Sequence, residues 1–183
     1  MLIIVATLPL AAVLPVKDYV EGLYSNTVFI GCALLVTGFV LFFSDRLARG
    51  HKSARSATLT DAVLVGLAQA VAVVPGVSRS GATISAGMMR GFDRNFAVRF
   101  SFLMSLPAVL GANIIALIGA VKSGFDTALL PIYLVGVAVA MVSGLLAISL
   151  VKMLADKGKF GRFAYYCWAV GVVALAASFF TRA

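Results

Sequence analysis

The chain has 183 residues, of which 62% are apolar and only 12% charged, with a net charge of +8. Soluble domains carry roughly 25% charged residues, so a water-soluble fold is excluded, and the length leaves room for one domain. The basic balance would suit nucleic acid, but the cations lie in short connections between apolar runs, where lysine and arginine mark the cytoplasmic side of a membrane, so no nucleic-acid partner is expected.

In chain order, nearly uncharged runs cover Leu2 to Val16, Thr27 to Phe43, Thr58 to Val74, Phe100 to Val121, Ala128 to Val151 and Phe163 to Thr181. Most are near the roughly 20 residues that cross a bilayer as a helix, and none alternates at period two as a barrel strand would. The expected fold is all-α: a polytopic membrane helical bundle, residues 1–183 forming a single membrane domain. Leu2 to Val16 is short for a span, and the beginning of that span is expected to be missing. No basic residue precedes it, so it does not read as a signal peptide. Cys32 and Cys167 fall within apolar runs and are expected to be buried small hydrophobes, not a disulfide pair or metal ligands.

Loop charges orient the spans. Arg46, Arg49, Lys52 and Arg55 put the connection after Phe43 inside, whereas the loop with Lys17, Asp18 and Glu21 goes outside. Lys152, Lys157, Lys159 and Arg162 place the loop before the last span inside, the nearly neutral Lys122 to Asp126 loop goes outside, and the carboxyl terminus follows it outside. Arg90, Arg94 and Arg99 mark a further inside loop, so the chain from Thr58 to Met89 must enter and return on one side: a re-entrant hairpin over 58–89. Its midpoint, Pro75 to Gly81, holds a proline and two glycines that disfavour continuous helix. Broken backbone at that depth survives only against protein or a watery cavity, so the tip predicts a polar site.

Arg79 is the strongly charged side chain deep within an apolar run, and an intramembrane arginine calls for an anionic partner. Asp61 is at the hairpin's entrance and Asp93 beyond its exit, which leaves a structural salt bridge or a ligand anion. Ser80 is placed to cap the returning half-helix, leaving the amides of Gly81, Ala82 and Thr83 at its positive end. Gly76 and Gly81 let backbone approach a ligand, Ser78, Ser80 and Thr83 add hydroxyls, and Arg79 can grip two phosphate oxygens. The set suits phosphate or diphosphate, although half-helix ends in transporters bind other anions the same way. There is no phosphate-binding Gly-Lys loop or nucleophile elbow. His51, among loop cations, is given no role, and Pro107, Gly111 and Asn113 are expected to serve close packing and a helix-to-helix hydrogen bond.

The stretch Pro75-Gly-Val-Ser-Arg-Ser-Gly-Ala-Thr83 resembles the PGxSRSxxT signature of the undecaprenyl-diphosphatase (bacitracin-resistance) family. Gly66 to Gln69 before it, Ile84 to Gly87 after it, and Phe100 to Pro107 are similar to family segments, and Leu8-Pro9 and the span ending at Arg46 extend the resemblance over essentially the whole chain. The family is built from two inverted repeats, each a re-entrant hairpin followed by three spans. On that pattern residues 1–44 resemble the last two spans of a first repeat, and 58–183 a complete second repeat of hairpin and three spans. The glutamate-rich motif, serine and histidine of the first hairpin are then missing. Glu21-Gly22 looks superficially like that motif but lies in an outside loop, so no role is carried to it.

The resemblance implies hydrolysis of undecaprenyl diphosphate to the monophosphate, the step that recycles a lipid carrier for cell-wall synthesis. It further implies a place in the bacterial plasma (inner) membrane and a divalent cation, magnesium or calcium, for which this chain shows no ligands. Ser78, Arg79, Ser80 and Thr83 are the catalytic candidates, and Gly76, Gly81 and Ala82 join them in binding the substrate phosphates. The repeat offers no carboxylate or histidine at the site to activate an attacking group. Alternative readings are a lipid-phosphate or anion transport module without catalysis, and an inactive fragment. Self-association into a homo-oligomer is expected where the hairpin lacks its opposing partner.

Overall fold

The computed structural model describes residues 1–47, 50–124, 129–156 and 160–182. Arg49, Asp126, Lys157 and Lys159, which enter the loop-charge count, lie outside the described residues. In chain order the helices are α1 (Leu2–Ala11), α2 (Lys17–Leu23), α3 (Thr27–Leu47), α4 (Leu59–Val71), α5 (Arg79–Met89), α6 (Arg94–Ser123), α7 (Leu130–Asp156) and α8 (Phe163–Arg182). Short 3-10 turns, Leu14–Val16 and Phe160–Arg162, lead into α2 and α8. Among the described residues no strand forms, only one isolated bridge between Lys52 and Phe92. Parts of α3, α6, α7 and α8 are long and apolar enough to cross a membrane: Thr27–Arg46, Arg94–Gly119, Leu130–Met153 and Phe163–Phe180. The chain is therefore a multi-pass membrane protein.

The first apolar run departs from the expected single helix to Val16. Pro15 cannot donate a backbone hydrogen bond, α1 stops at Ala11, and the chain turns through Leu14–Val16 into α2. With ten residues, α1 rises only about 15 Å and does not span a bilayer core by itself.

The hairpin between Thr58 and Met89 is built from two helices of 13 and 11 residues, about 20 and 17 Å long, each too short for a core of about 30 Å. Its two open ends are fastened together. Lys52 N donates to Gly91 O and Asp93 N to Lys52 O, both at 2.9 Å. Asp61, in the first turn of α4 and 0% exposed, accepts from Lys52 Nζ and Arg90 Nε, each at 2.9 Å. The same carboxylate accepts from Thr58 N, while Thr58 Oγ1 accepts from Asp61 N, closing a reciprocal cap on α4. Chain entry and return thus share one end of the bundle, as the re-entrant reading requires.

The hairpin is seated by close backbone contact and by paired hydroxyls. A Cβ at Gly66 would collide with the Ala6 carbonyl, which brings α4 directly against α1. Ser44 and Ser85 share a hydrogen bond of 2.8 Å between α3 and α5, and Thr83 and Ser101 one of 2.6 Å between α5 and α6. The buried core (Ala6, Leu41, Val65, Ile84, Phe92 and Met104 among others) fills the space between these helices. α8 packs on α3, where Trp168 Nε1 donates to Leu35 O at 3.2 Å and Gly38 leaves room for the indole. Arg94 ties the start of α6 to the end of α3 through Asp45, at 2.9 Å to its carboxylate and 2.8 Å to its carbonyl. α7 stands outward with its apolar side chains exposed, as a lipid-facing helix does. Cys167 is buried as expected, but Cys32 is exposed on the outer face of α3. Asn113 donates to Val109 O of its own helix at 2.8 Å, which replaces the expected helix-to-helix bond.

Single cysteines replacing His51 and Asn95 should be modified by an impermeant thiol reagent from the same side of the membrane, since the Lys52–Phe92 bridge holds their neighbours together. Modification from opposite sides would remove the hairpin.

Acid should loosen the closure at Asp61. Burial pushes this carboxyl pKa up, but hydrogen bonds from Lys52, Thr58 and Arg90 outweigh burial and hold it well below the usual carboxylate range. A lowered folded-state pKa contributes stability that is complete above the unfolded value of about 4 and is lost as pH falls below it. Thermal unfolding of the purified chain should therefore be flat from neutral pH to about 5 and fall in temperature below about 4. Asp61→Asn should lie lower, by on the order of 2 kcal/mol, and should lose that acid limb.

Candidate phosphate site at the hairpin tip

The tip runs from Ala72 to Ser78 between the two half-helices. Gly76 turns it with φ +87°, a left-handed conformation that a side chain disfavours, and a Cβ there would lie 2.7 Å from Ile30 O and 2.8 Å from the Ala33 Cβ. Its carbonyl accepts from Thr37 Oγ1 at 3.2 Å. The glycine thus brings the tip against the backbone of α3, a closer constraint than the ligand approach expected from sequence.

Ser78, not Ser80, caps α5: its Oγ accepts from Gly81 N at 3.1 Å, and its carbonyl accepts from Ala82 N at 2.8 Å. Ser78 has extended backbone (φ −67°, ψ 114°) and already bonds the third helical residue, which moves the helix start two residues earlier than expected. The expected donor amides of Gly81 and Ala82 are therefore engaged. The first-turn amides of Arg79 and Ser80 point instead along the open, positive end of α5. Gly81 sits tight against Ser78, its hypothetical Cβ 3.0 Å from Ser78 Oγ. Thr83 is 2% exposed, and its hydroxyl is held by Arg79 O at 2.9 Å and by Ser101 Oγ at 2.6 Å. It locks α5 to α6 and does not line either cavity at the tip.

Two cavities flank this helix end. Gly76, Ser78, Ser80 and Gly81 line one of about 390 Å³, closed on its far side by Leu41 of α3 and by Tyr166 and Cys167 of α8. Arg79 lines the other, of about 430 Å³, together with Glu21 and Tyr24 from the α2 region and Asn113 of α6. The structure thus gathers the serines and glycines on one flank and sends the guanidinium to the other, with the α5 amino end between them. Asp61 is taken by Lys52 and Arg90, and among the described residues Arg79 makes no ion pair, so the structural salt bridge between Asp61 and Arg79 does not form.

Sequence reasoning missed Glu21. A place in an outside loop removed it from consideration, yet Glu21 of α2 lines the cavity that Arg79 lines. It missed Gln69 as well, whose amide is 0% exposed and has no hydrogen-bond partner among the described residues. α4 and α5 run antiparallel from the Asp61–Arg90 pair, so Gln69, two turns above Asp61, lies level with Ala82 in the first turn of α5. The signal was a lone amide in an apolar half-helix, a costly residue without a local reason. Among the described residues no group of three or more His, Cys, Asp or Glu side chains comes together. Glu21 is the carboxylate of the Arg79 cavity.

The fold is that of a polytopic helical membrane protein with a re-entrant hairpin, and an arginine at a half-helix amino end is the kind of group with which such bundles hold anions. The chain belongs to the family described as bacitracin resistance protein BacA, whose pattern matches residues 1–173. Among its relatives is an undecaprenyl-diphosphatase of Methanothermobacter thermautotrophicus, 44% identical over 97% of this chain and 99% of its own. Others, with the same description, come from Desulforapulum autotrophicum (41% identical over 97% of this chain and 64% of that protein) and Halothermothrix orenii (40% over 86% and 61%). The chain thus spans less than two thirds of the last two relatives and nearly all of the first.

Gly76→Ala should unfold or misplace the tip, because strain in φ and collision with Ile30 O act together. Ser78→Ala should cost about 1 kcal/mol of stability through the lost cap, whereas Ser80→Ala should cost little. Equal losses from the two serine variants in thermal unfolding would contradict the cap assignment.

Proposed function

We propose that this chain acts on undecaprenyl diphosphate, releasing phosphate and undecaprenyl monophosphate, and does so in the plasma membrane (the inner membrane where there are two). The observation that carries the reading is Arg79 at the first position of α5, its side chain in a cavity that adjoins the open end of the helix, within a sequence identical at every fixed position to the family signature. A guanidinium offers paired donors to phosphate oxygens, and the Arg79 and Ser80 amides add the partial charge of the helix end. Phosphoryl transfer needs mainly positioning and charge stabilisation, which these groups supply.

In the proposed reaction a water oxygen attacks the terminal phosphorus, the bridging P–O bond breaks, and the lipid monophosphate leaves with the bonding electrons. Glu21, which lines the same cavity as Arg79, is the group proposed to accept the water's proton. The division of Arg79 and the Ser78–Ser80 edge between two cavities favours a second reading, in which the tip passes a lipid phosphate from one flank to the other without chemistry. Phosphate release separates the two.

Purified in lipid nanodiscs, the chain should release phosphate from undecaprenyl diphosphate. Arg79→Ala should lower binding of the diphosphate lipid at least about tenfold, and Arg79→Lys should recover little of it, because an ammonium keeps the charge without the paired grip. Arg99→Ala, on the exposed face of α6, serves as the control and should bind normally. Tight, Arg79-dependent binding without phosphate release would favour carriage over hydrolysis.

A further inference from the structure

The Arg79 cavity does not end at its polar groups. It shares Leu10, Ala108 and Ala112 with a larger cavity of about 620 Å³, so the two form one trough between α1 and α6. The larger part is walled by Leu8 and Ala11 on one side and by Pro107, Gly111 and Ile115 on the other. Its polar lining side chain, Thr7, already donates to Ile3 O at 2.8 Å. The trough is therefore apolar along its length, with Arg79 and Glu21 at one end. Small residues at 108, 111, 112 and 116 fall on one face of α6 and form its floor.

We infer that this trough seats the head-proximal isoprene units of the lipid whose diphosphate Arg79 holds, so that α1 and α6 set which tails are accepted. The inference rests on the function proposed above. An occupant that matches the trough joins a polar head to an apolar chain: Arg79 and the adjoining helix amino end offer donors to an anionic head, Glu21 stands beside them, and hydrocarbon lines the rest. Alanine and glycine notches leave room for the methyl branches of a prenyl chain. The volume lies within the roughly 300–1,000 Å³ of ordinary ligand sites, enough for the first units of a long tail while the remainder runs into the bilayer.

Gly111 makes the idea testable without unfolding the protein. A Cβ added there meets nothing within 4 Å, so Gly111→Trp fills the trough and leaves the backbone unstrained. Gly136 on α7 is equally open and provides the control Gly136→Trp. The full 183-residue chain in nanodiscs would be irradiated with a prenyl diphosphate carrying a diazirine near the head end of its tail. The expected result is adducts on α1 and α6 peptides containing Leu8 and Ile115, suppressed by excess undecaprenyl diphosphate. They should fall about tenfold in Gly111→Trp, stay unchanged in Gly136→Trp, and be lost in Arg79→Ala.

Competed, Arg79-dependent adducts at Tyr166 or Cys167 would overturn the trough as the tail site and leave the phosphate reading standing. Trough adducts of equal yield from a prenyl alcohol, unaffected by Arg79→Ala, would instead remove the diphosphate head and the function with it. Disulfides between copies bearing Leu8→Cys and Ile115→Cys, insensitive to added lipid, would show that a second copy fills the trough and would also overturn the inference.

Discussion

Everything at the tip depends on closing the hairpin at its base. Two half-helices that stop at mid-depth gain no support from reaching the far side, so their separation and register must be set where they enter. Asp61 does this with a single buried carboxylate that receives Lys52 from the preceding loop, Arg90 from the return helix and Thr58 from its own helix end. A buried carboxylate alone would be strongly unfavourable; with three donors it becomes a fixed node. The neighbouring Lys52–Phe92 bridge repeats the constraint in backbone.

From that base the tip is positioned by what it touches. Gly66 admits the backbone of α1, Gly76 admits that of α3, and the Ser44–Ser85 and Thr83–Ser101 pairs hold the faces of α5. Hydroxyl pairs suit this place: in hydrocarbon each satisfies the other, and neither brings a charge. The motif residues therefore divide their labour. Gly76, Ser78, Gly81 and Thr83 build the helix start and its packing; Gly76, Ser78 and Gly81 also border one cavity with Ser80, and Arg79 borders the other. A signature that reads as a row of ligand contacts is also a description of how to stop and restart a helix in a membrane.

Much of this was legible from residue order. The apolar runs marked α3, α6, α7 and α8, and the loop arginines required the return at Arg90 before any contact was known. Helix ends were less legible: Ser78 and Ser80 are both good caps in composition, and the choice between them depends on backbone dihedrals that packing against α3 imposes. The place of Glu21 was hidden for a different reason. Charge counting puts it outside the membrane but says nothing of which cavity α2 borders. Nor could spacing tell that Arg79 and Ser80, adjacent in sequence, would face different cavities, although adjacent helical positions are about 100° apart and seldom share a wall.

The order in which the chain is made adds one consequence of the paired hydroxyls. α4 and α5 leave the ribosome before α6, yet Thr83 finds its partner in Ser101 of α6, and one wall of the Arg79 cavity is α6 as well. Until that helix arrives, the hairpin has α1 and α3 to pack on, but the Thr83 hydroxyl lacks its partner and the Arg79 cavity lacks a wall. The hairpin would therefore complete its seating only after α6 has inserted. The segment nearest the chemistry would then be the last to reach its native depth, and any delay in the synthesis of α6 would lengthen its exposure.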